Sequence, residues 1–457
     1  MIMGTDDNES VALEDMLRAR DRRRTLQEEL LQKYKFNLVS YTLNIAGPCK
    51  RYRLADRCFH EGRRMIERQF ARNRLNPIRH IFTDEKTGLE MIWVVDADPI
   101  RLKTILTAIE EYHPLGRVFD IDIITENGVK ISRNEVGLGQ RGCLLCGKSG
   151  GGCARNRTHS HKEVISAINR IIDGYFNDKY VDLIAGNAVR ALLYEVSVTP
   201  KPGLVDRANN GAHTDMDFFS FVNSSSVLSA YFRDMASAGI RSRNILPERV
   251  LARLRFRGMC AEDEMLAATG GVNTHKGLIF SLGIICAAYG WHGDSYPTAD
   301  EVLDTAAKIA APAFHADLQD ITLTNFATNG EAVFAKHGLA GIRREAAEGF
   351  PAVRKLGLPA LREAICIGRS FNDAGVEVLL RFIADVTDTN IISRSSLEKL
   401  DDIQSHLTDF LAEGKDTEII KHAEYLDRQF THDNISPGGC ADLLAVTFMS
   451  YFMDEER

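Results

Sequence analysis

The amino-acid sequence predicts two domains, an N-terminal α/β or α+β domain and a C-terminal all-α domain. The chain has 457 residues, which is more than one ordinary hydrophobic core supports. Strand-like and helix-like segments alternate over residues 1–135, whereas nearly every periodic segment beyond His161 is helical. We therefore expect one domain at residues 1–162 and a second at 163–457.

The first domain is expected to begin with an amphipathic helix from Ser10 to about Tyr34, with Ser10 as its N-cap. β-Branched alternating runs predict strands, and apolar residues at helical spacing predict helices between them. The expected strands are 37–45, 89–97 and 120–124, and the expected helices are 54–72 and 99–112.

The second domain reads as a series of helices with few strand candidates. Its helices are predicted at 163–197, 217–239, 246–268, 277–290, 299–312, 331–348, 358–367, 372–387, 396–413, 416–430 and 438–454.

Charge and composition restrict the class of protein. Residues 1–165 carry a net charge of +5 and the remainder −12, so a basic first domain suits an anionic ligand. The longest apolar run, 278–288, is too short to span a membrane. The polar start MIMGTDDNES is unlike a signal peptide, and the nine cysteines are expected to be reduced. The sequence thus predicts a globular cytoplasmic protein.

The segment GRVFDIDII at 116–124 carries the first candidate site. Side chains two apart in a strand face the same side, so Asp120 and Asp122 should project together. Two carboxylates on one face are costly without a cation, and Mg²⁺ shared with substrate phosphates is a common solution. Arg117 could hold phosphate beside them. The plainer interpretation is an exposed strand edge.

The segment 143–162 is rich in Cys, Gly, Arg and His. The four side chains Cys143, Cys146, Cys153 and His159 are of types that tetrahedral Zn²⁺ accepts. Reduced thiols near a basic turn are the alternative. A zinc knuckle with basic flanks would also be compatible with a nucleic-acid-binding protein, although the acidic second half argues against that function.

The segment 193–217, LYEVSVTPKPGLVDRANNGAHTDMD, is crowded with reactive polar side chains. Pro fixes φ and Gly relieves it, so Lys201-Pro202-Gly203 predicts a turn. The residues that follow within a dozen positions include Asp206, Asn209, Asn210, His213, Asp215 and Asp217. This composition fits a site for a metal and an anionic substrate, with an exposed polar loop as the alternative.

Three further segments carry similar chemistry. ATGGVNTHKG at 268–277 precedes an apolar helix, so its free backbone N–H groups and Lys276 suit phosphate. DVTDTN at 385–390 places two aspartates on one helix face. SPGGCAD at 436–442 is another glycine turn before a helix, with Asp442 in the first turn. Capped helix starts and exposed helix ends are the plainer interpretations.

Several motifs of the first domain occur together: SYTLNIAGP (40–48), HPLGRVFDIDII (113–124), ISR (131–133) and CLLC…CARNRTH (143–159). Over residues 36–162 they resemble the holo-citrate lyase synthase family, or apo-citrate lyase phosphoribosyl-dephospho-CoA transferase. That family transfers 2′-(5″-phosphoribosyl)-3′-dephospho-CoA from its triphosphorylated precursor to a serine of the citrate lyase acyl carrier protein, releasing pyrophosphate. The resemblance implies a nucleotidyltransferase-like domain with metal on Asp120 and Asp122.

The second domain carries LLYEVSVTPKPGLVDRANNGAHTDMDFF (192–219), ATGGVNTHKGLIFSLG (268–283), EGFPAV (348–353), GLP (357–359), DTNI (388–391) and ISPGGCADLLA (435–445). Over residues 165–457 these motifs resemble triphosphoribosyl-dephospho-CoA synthase. That family joins ATP to 3′-dephospho-CoA and expels adenine. Its product is the substrate expected for the first domain, so the two resemblances describe consecutive enzymes.

The residues and resemblances together give the expected site residues. The expected catalytic residues are Asp120, Asp122, Asp206, His213, Asp215, Asp217 and His275, with a histidine protonating adenine. The expected substrate-binding residues are Arg117, Arg133, Arg141, Lys201, Asn209, Glu262, Asn273, Lys276, Asp388, Asn390 and Asp442. Mg²⁺ is expected on Asp120 with Asp122 and on Asp215 with Asp217, beside the zinc candidate.

The predicted function is a bifunctional transferase that makes the citrate lyase prosthetic group and attaches it. Its expected partners are ATP, 3′-dephospho-CoA and the apo-acyl carrier protein, with no nucleic-acid or membrane partner. The malonate decarboxylase counterpart of the same two steps is a close alternative. A zinc-knuckle nucleic-acid-binding protein is the alternative from another class.

Overall fold

The computed structural model describes residues 10–148, 150–156, 158–320, 329–414 and 418–456. The first part of the chain contains α1 (Leu13–Tyr34), β1 (Asn37–Leu43), α2 (Arg53–Arg72), β2 (Pro77–Glu85), β3 (Gly88–Val95), α3 (Pro99–Tyr112), β4 (Phe119–Ile124), α4 (Gly150–Arg155) and α5 (His161–Ser197). The chain divides into two compact units, residues 1–176 and 177–457, so the division falls within α5. The expected boundary at 162/163 lies near the start of this helix and stays a prediction.

The first unit is built on a four-stranded sheet in the order β2–β3–β1–β4, in which every neighbouring pair is antiparallel. One face buries aromatic and aliphatic side chains, among them Tyr41 and Trp93, against α2, α3 and the first part of α5. The other face packs Leu38 and Val94 against Leu30 of α1. Antiparallel pairing corresponds to the α+β option, and the nucleotidyltransferase-like fold stays a prediction.

The three expected strands and the expected helices of this unit are confirmed, with small shifts at their ends. Two details differ. Ser10 is not the N-cap of α1: that position is Ala12, which makes no side-chain cap. The sequence interpretation missed β2, PIRHIFTDE, because it is an edge strand whose polar, largely exposed side chains lack the apolar alternation of a buried strand.

The second unit consists of helices joined by loops, with no strand among its described residues. After α5 it contains α6 (Phe218–Arg241), α7 (Leu251–Ala268), α8 (Lys276–His292), α9 (Ala299–Asp320), α10 (Asn329–His337), α11 (Gly341–Ala347), α12 (Leu358–Cys366), α13 (Phe371–Asp385), α14 (Thr389–Arg394), α15 (Leu397–Ala412), α16 (Ile419–His432) and α17 (Gly438–Glu455). Short turns of tighter or wider helix occur at Pro247–Arg249 and Val353–Gly357.

The helices α8 and α17 form the centre of the second unit because they are apolar on nearly all sides. α8 crosses α6 at very short range. A Cβ added to Gly239 would lie 2.1 Å from the carbonyl oxygen of Ala287, and one added to Gly290 would lie 2.1 Å from that of Ala236. Only glycine permits this approach, which brings the last turns of α6 and α8 together.

Most expected helices of this unit are confirmed, but two expectations need correction. The single helix at 331–348 is two helices, α10 and α11, because Gly338 between them has a left-handed φ of 72°. The helix at 246–268 begins only at Leu251. The segment 416–430 starts at residues outside the described part of the chain. Within the described ranges, we find no helix with the length and apolar character needed to cross a bilayer.

Candidate functional sites

The first candidate site is the polar half of one sheet face in the first unit. Along β4 every second side chain is buried, so Phe119, Ile121 and Ile123 enter the core while Asp120 and Asp122 share the opposite face. The predicted common face of the two aspartates is thereby confirmed.

Cations only partly offset the charge of this pair. Lys130 Nζ lies 2.5 Å from Asp122 Oδ2. Burial and the neighbouring charge of Asp122 raise the pKa of Asp120, although Lys130, Arg141 and Arg23 oppose that rise. Two close carboxylates that resist ionising together are suited to a divalent cation.

A third carboxylate lies two strands away and was missed by sequence reasoning. Glu90 on β3 is buried and accepts two hydrogen bonds from the Arg23 guanidinium, at 2.8 Å and 2.5 Å. Because α1 supplies Arg23, this ion pair ties the helix to the face that carries Asp120 and Asp122. No strand pattern links residues so distant in sequence.

The three arginines expected to bind phosphate all contact protein acceptors. Arg117 Nη2 donates to the carbonyl oxygen of Gly142 at 2.5 Å. Arg133 Nη1 and Arg141 Nη2 lie 3.1 Å and 2.9 Å from Glu110 Oε2. Glu110 is buried and also accepts from the Ile121 amide at 3.1 Å, so this residue, which the sequence did not single out, anchors two arginines to β4.

The cysteine and histidine residues of the first unit form a compact group. One ligand atom from each of Cys143, Cys146, Cys153 and His159 lies within 4.8 Å of the others. The sequence therefore placed these four side chains together correctly, and metal occupancy stays a prediction.

The polar loop after α5 is fastened by Asp206. Its carboxylate accepts from the amides of Lys201 (3.0 Å), Ala208 (2.7 Å) and Asn209 (3.0 Å). The Asn209 amide group donates to Asp427 Oδ2 at 2.8 Å. Asp206 thus acts on the backbone of the loop, and Asp427 of α16 is an anchor that the sequence analysis missed.

His213 and the two aspartates after it have different surroundings. His213 Nε2 lies 2.9 Å from Ser436 Oγ and its Nδ1 lies 3.8 Å from Asp215 Oδ1. Burial, followed by the charge of Arg394, lowers the His213 pKa. Asp215 is exposed, whereas Asp217 caps α6, with its Oδ1 2.8 Å from the Ser220 amide.

Three buried side chains, Lys201, Glu195 and His275, interact electrostatically close to the loop. Lys201 and Glu195 are both almost fully buried and form an ion pair. His275 is buried as well: its Nδ1 lies 2.6 Å from Ser224 Oγ, and its Nε2 has no hydrogen-bond partner among the described residues. Burial, with the charge of Lys201, lowers the His275 pKa to about 3. Sequence analysis missed Glu195, although an acidic residue within the apolar run ALLYEVSV is a usable signal.

Residues 436–442, here called the α17 start, bring the predicted segments together. Ser436 contacts His213 as described. The Cys440 amide donates to Asp388 Oδ2 at 2.9 Å, while Asp388 Oδ1 accepts from the Asn390 amide at 2.7 Å. A single buried carboxylate therefore caps both α14 and α17.

The α17 start also meets the start of α8. A Cβ added to Gly277 would lie 2.0 Å from Asp442 Oδ2, so the carboxylate lies directly against this glycine. Burial, then the charges of Glu195 and Asp388, raises the Asp442 pKa well above its usual range. A Cβ added to Gly438 would similarly lie 2.9 Å from Asn390 Nδ2. Two helix N-termini and a poorly ionised carboxyl group thus meet in one place.

Other expected binding residues lie at the rim of this region. Lys276 Nζ forms a half-exposed ion pair with Glu262 at 2.9 Å, and the Lys276 amide donates to Asn273 Oδ1 at 3.1 Å. A cavity of 510 Å³ opens beside Asp388 and Gly439. The structure therefore gathers His213, Asp388, Asn390 and Asp442 at the α17 start, and it buries the ion-paired Lys201 close to the neutral His275.

Comparisons with known protein families match both units. The CitX family model, described as apo-citrate lyase phosphoribosyl-dephospho-CoA transferase, matches residues 11–175. The CitG family model, described as ATP:dephospho-CoA triphosphoribosyl transferase, matches residues 181–457.

Individual relatives match along nearly the whole chain. A protein named CitXG from Haemophilus influenzae is 31% identical over 458 residues, covering 97% of each chain. Another CitXG, from Leuconostoc mesenteroides subsp. cremoris, is 32% identical over 474 residues with the same coverage. A 2-(5″-triphosphoribosyl)-3′-dephosphocoenzyme-A synthase from Pectobacterium atrosepticum is 38% identical over 296 residues, which cover 64% of this chain and 96% of the relative.

Proposed function

The chain belongs to the family of fused CitXG proteins, and from this premise we infer that it is a bifunctional transferase that makes and attaches the citrate lyase prosthetic group. The second unit, here called the CitG-type unit, uses ATP and 3′-dephospho-CoA. The first unit, here called the CitX-type unit, modifies the apo-acyl carrier protein of citrate lyase. The observation that carries the structural proposal is the convergence of His213, Asp388 and Gly277 on the α17 start.

The two steps exchange one bond each. In the CitG-type unit, the 2′-hydroxyl oxygen of dephospho-CoA bonds to C1 of the ATP ribose, the bond from C1 to adenine breaks, and the triphosphate is retained. The hydroxyl loses its proton and adenine gains one. In the CitX-type unit, the carrier serine hydroxyl loses its proton and its oxygen bonds to the α-phosphorus of that product. The bond from the α-phosphorus to the bridging oxygen breaks, and pyrophosphate leaves with that oxygen.

Asp442 is proposed to protonate departing adenine. Its carboxyl group is buried near two other acids, Glu195 and Asp388, and burial followed by their charges raises its pKa well above the usual range, which favours the protonated form that a proton donor needs. Because Glu195 is paired with Lys201, burial remains the largest cause of this rise. A positioned carboxylic acid of this kind has the character of a general acid.

His213 is proposed as the base for the dephospho-CoA hydroxyl. Burial and Arg394 lower its pKa, so the imidazole is neutral at pH 7 and can accept a proton. Its contact with Ser436 links it to the helix that carries Asp442. Asp215, 3.8 Å away, is placed to stabilise the imidazolium that forms.

The role expected for His275 is revised. A pKa of about 3 leaves its imidazole neutral, so the cationic form that would readily protonate adenine is absent at neutral pH. We propose that its unpartnered Nε2 instead forms a hydrogen bond with the bound substrate. Asp206, Asn209 and Asp388 are proposed as positioning residues because their polar groups hold the loop and the helix starts.

The phosphates of ATP are proposed to lie at the starts of α8 and α17. Unpaired backbone N–H groups in the first turn of a helix, together with its dipole, favour phosphate. Lys276 stands at the first position of α8 and is half-exposed, so its ammonium group is available to phosphate on exchange with Glu262. Asn273 and Asn390 are proposed to orient the same substrate.

The CitX-type unit is proposed to hold Mg²⁺ on Asp120 and Asp122. Two observations support this fit. The pKa of Asp120 is raised, and Lys130 forms an ion pair with Asp122. When bound, the ion supplies positive charge to the pyrophosphate leaving group. Arg117, Arg133 and Arg141 are proposed to bind the phosphates. The expected second Mg²⁺ site on Asp215 and Asp217 stays a prediction, because Asp217 caps α6 and Asp215 lies beside His213.

The experiment that tests the function compares two carriers. The purified chain is incubated with ATP, dephospho-CoA, Mg²⁺ and either the apo-carrier of citrate lyase or that of malonate decarboxylase. Intact-protein mass spectrometry then measures the phosphoribosyl-dephospho-CoA gained. We expect the citrate lyase carrier to gain this mass much faster, whereas preferential modification of the other carrier would replace the assignment with its malonate decarboxylase counterpart.

A further inference from the structure

The Cys and His side chains of the first unit lie at distances suited to a single tetrahedral metal. The Sγ atoms of Cys146 and Cys153 are 3.5 Å apart, and all four ligand atoms lie within 4.8 Å of one another. Zinc with Zn–S bonds of about 2.3 Å holds tetrahedral sulfur ligands about 3.8 Å apart. The side chains therefore need only small adjustments to surround the ion.

The backbone supports this arrangement at both ends. The Gly147 amide donates to the Cys143 carbonyl at 3.0 Å, and Gly147 adopts a left-handed φ of 72°, so the chain folds back between Cys143 and Cys146. The Thr158 amide donates to the Cys153 carbonyl at 3.1 Å, which turns the chain towards His159. His159 Nε2 is buried and has no hydrogen-bond partner among the described residues, a costly state that a metal or a rotated ring would relieve.

We propose that Cys143, Cys146, Cys153 and His159 bind one structural Zn²⁺ and that this ion positions the arginines of the CitX-type site. Four protein ligands leave no open coordination position, which is the mark of a structural ion. The positioning role rests on the proposed function of this unit, whereas metal binding itself does not.

The connection to the site runs through the two residues before Cys143. The Gly142 carbonyl accepts from Arg117, and Arg141 Nη1 donates to the Phe119 carbonyl at 2.9 Å. Phe119 directly precedes Asp120 on β4. A metal that fixes Cys143 therefore fixes the loop end that holds Arg117 and Arg141 beside the carboxylate pair.

Metal analysis of the full chain tests the proposal. Protein purified without an affinity tag is expected to carry one equivalent of zinc. The double variant C146S/C153S should lose it, while C366S, which alters an exposed cysteine of the second unit, should keep it. Cobalt in place of zinc should give a thiolate-to-metal charge-transfer band in the native chain and not in the double variant. Zinc content below a tenth of an equivalent under reducing conditions, or a disulfide between Cys146 and Cys153 in freshly purified protein, would overturn it.

Activity separates the positioning role from metal binding. The double variant is expected to lose at least tenfold in carrier modification when supplied with preformed triphosphoribosyl-dephospho-CoA, yet to release adenine from ATP at the rate of the native chain. Adenine release shows that the second unit is folded, and an unchanged pattern of limited proteolysis within residues 10–176 shows that the first unit is folded. Loss of zinc with full carrier modification would refute the positioning role, and absence of carrier modification from the native chain would refute the function of the unit while leaving the metal result standing.

Discussion

The two candidate sites place carboxyl groups in opposite ways. In the first unit, Asp120 and Asp122 are two residues apart on one strand, and the strand alone gives them a common face. In the second unit, Glu195, Asp388 and Asp442 come from three helical regions and meet only in the folded chain. The first arrangement is local and invites a cation, whereas the second is assembled by tertiary packing and favours keeping a proton.

This difference predicts different chemistry. A pair of carboxylates near solvent and one lysine can remain charged if a divalent ion is shared with substrate phosphates. A carboxyl group that is buried next to other acidic side chains is easier to protonate, because desolvation and like charge both raise its pKa. Metal-assisted phosphoryl transfer and protonation of a leaving base are the reactions that these two environments suit.

Replacing the carboxyl group of Asp442, the proposed proton donor of the second site, should have the largest effect on catalysis. Asp442→Asn is expected to lower kcat for adenine release by about 10²–10⁴-fold, the usual contribution of a general acid. Asp442 has a raised pKa, so the protonated donor is present below that pKa and is lost as pH rises through it. The native kcat should therefore fall on the alkaline side, and this limb should be missing from the profile of the variant.

Two controls identify the cause of that loss. Asp263→Asn alters an exposed aspartate of the same unit and should leave kcat unchanged. An ATP analogue with a cationic pyridine as leaving base needs no proton, so Asp442→Asn should recover most of its deficit on this substrate. A deficit of equal size on both substrates would show that Asp442 has some other role.

Removing one of the two carboxylate charges from the first site should have the next largest effect on catalysis. Asp120→Asn is expected to lower carrier modification by on the order of 10²–10³-fold, as loss of one electrostatic contact to a transition state does elsewhere. Adenine release by the same protein should be unchanged. Asp96→Asn, at an exposed position just after β3, is the matched control. An equal fall in both activities would indicate a folding defect and break the distinction between the sites.

A smaller effect is expected from Asp388, which acts on helix starts. In Asp388→Asn one oxygen that accepts a backbone N–H is replaced by an NH₂ group, and leaving such a buried donor unpaired costs about 1–3 kcal/mol. The melting temperature should fall and the KM for ATP should rise more than kcat falls. A large loss of kcat with an unchanged melting temperature would instead place Asp388 among the groups that react.

The smallest effect is expected from Asp217. Asp217→Asn retains N-capping of α6, because asparagine caps about as well as aspartate, while it removes the charge that a metal ligand needs. If the cap is its only role, kcat for adenine release should stay within about twofold of native. A steep loss that higher Mg²⁺ concentration partly restores would instead establish the expected metal site at Asp215 and Asp217.

The sequence predicted the first site better than the second for a physical reason. The period of a strand is two, so FDIDII alone specifies which side chains share a face. The buried partners Glu90 and Glu110 escaped notice because pairing across strands and helices leaves no local pattern. The polar edge strand β2 was missed for a related reason, since its burial is slight.

In the second unit the sequence identified the segments but not the division of roles. The glycine turns before α8 and α17 were visible, yet their contact through Gly277 and Asp442 depends on packing between residues far apart in the chain. Asp206 resembled a catalytic residue from composition alone, but it serves three backbone amides. His275 resembled a proton donor until its burial was known, because burial determines its pKa.

Product stoichiometry tests most directly whether one chain runs both reactions in sequence. The native chain is incubated with ATP, dephospho-CoA and Mg²⁺, first without and then with the apo-carrier of citrate lyase, while adenine, pyrophosphate and carrier mass are measured. We predict that adenine appears before the carrier is added, and that one pyrophosphate is then released for each carrier modified. Carrier modification without adenine release, or no adenine from the folded protein, would contradict the two-site assignment.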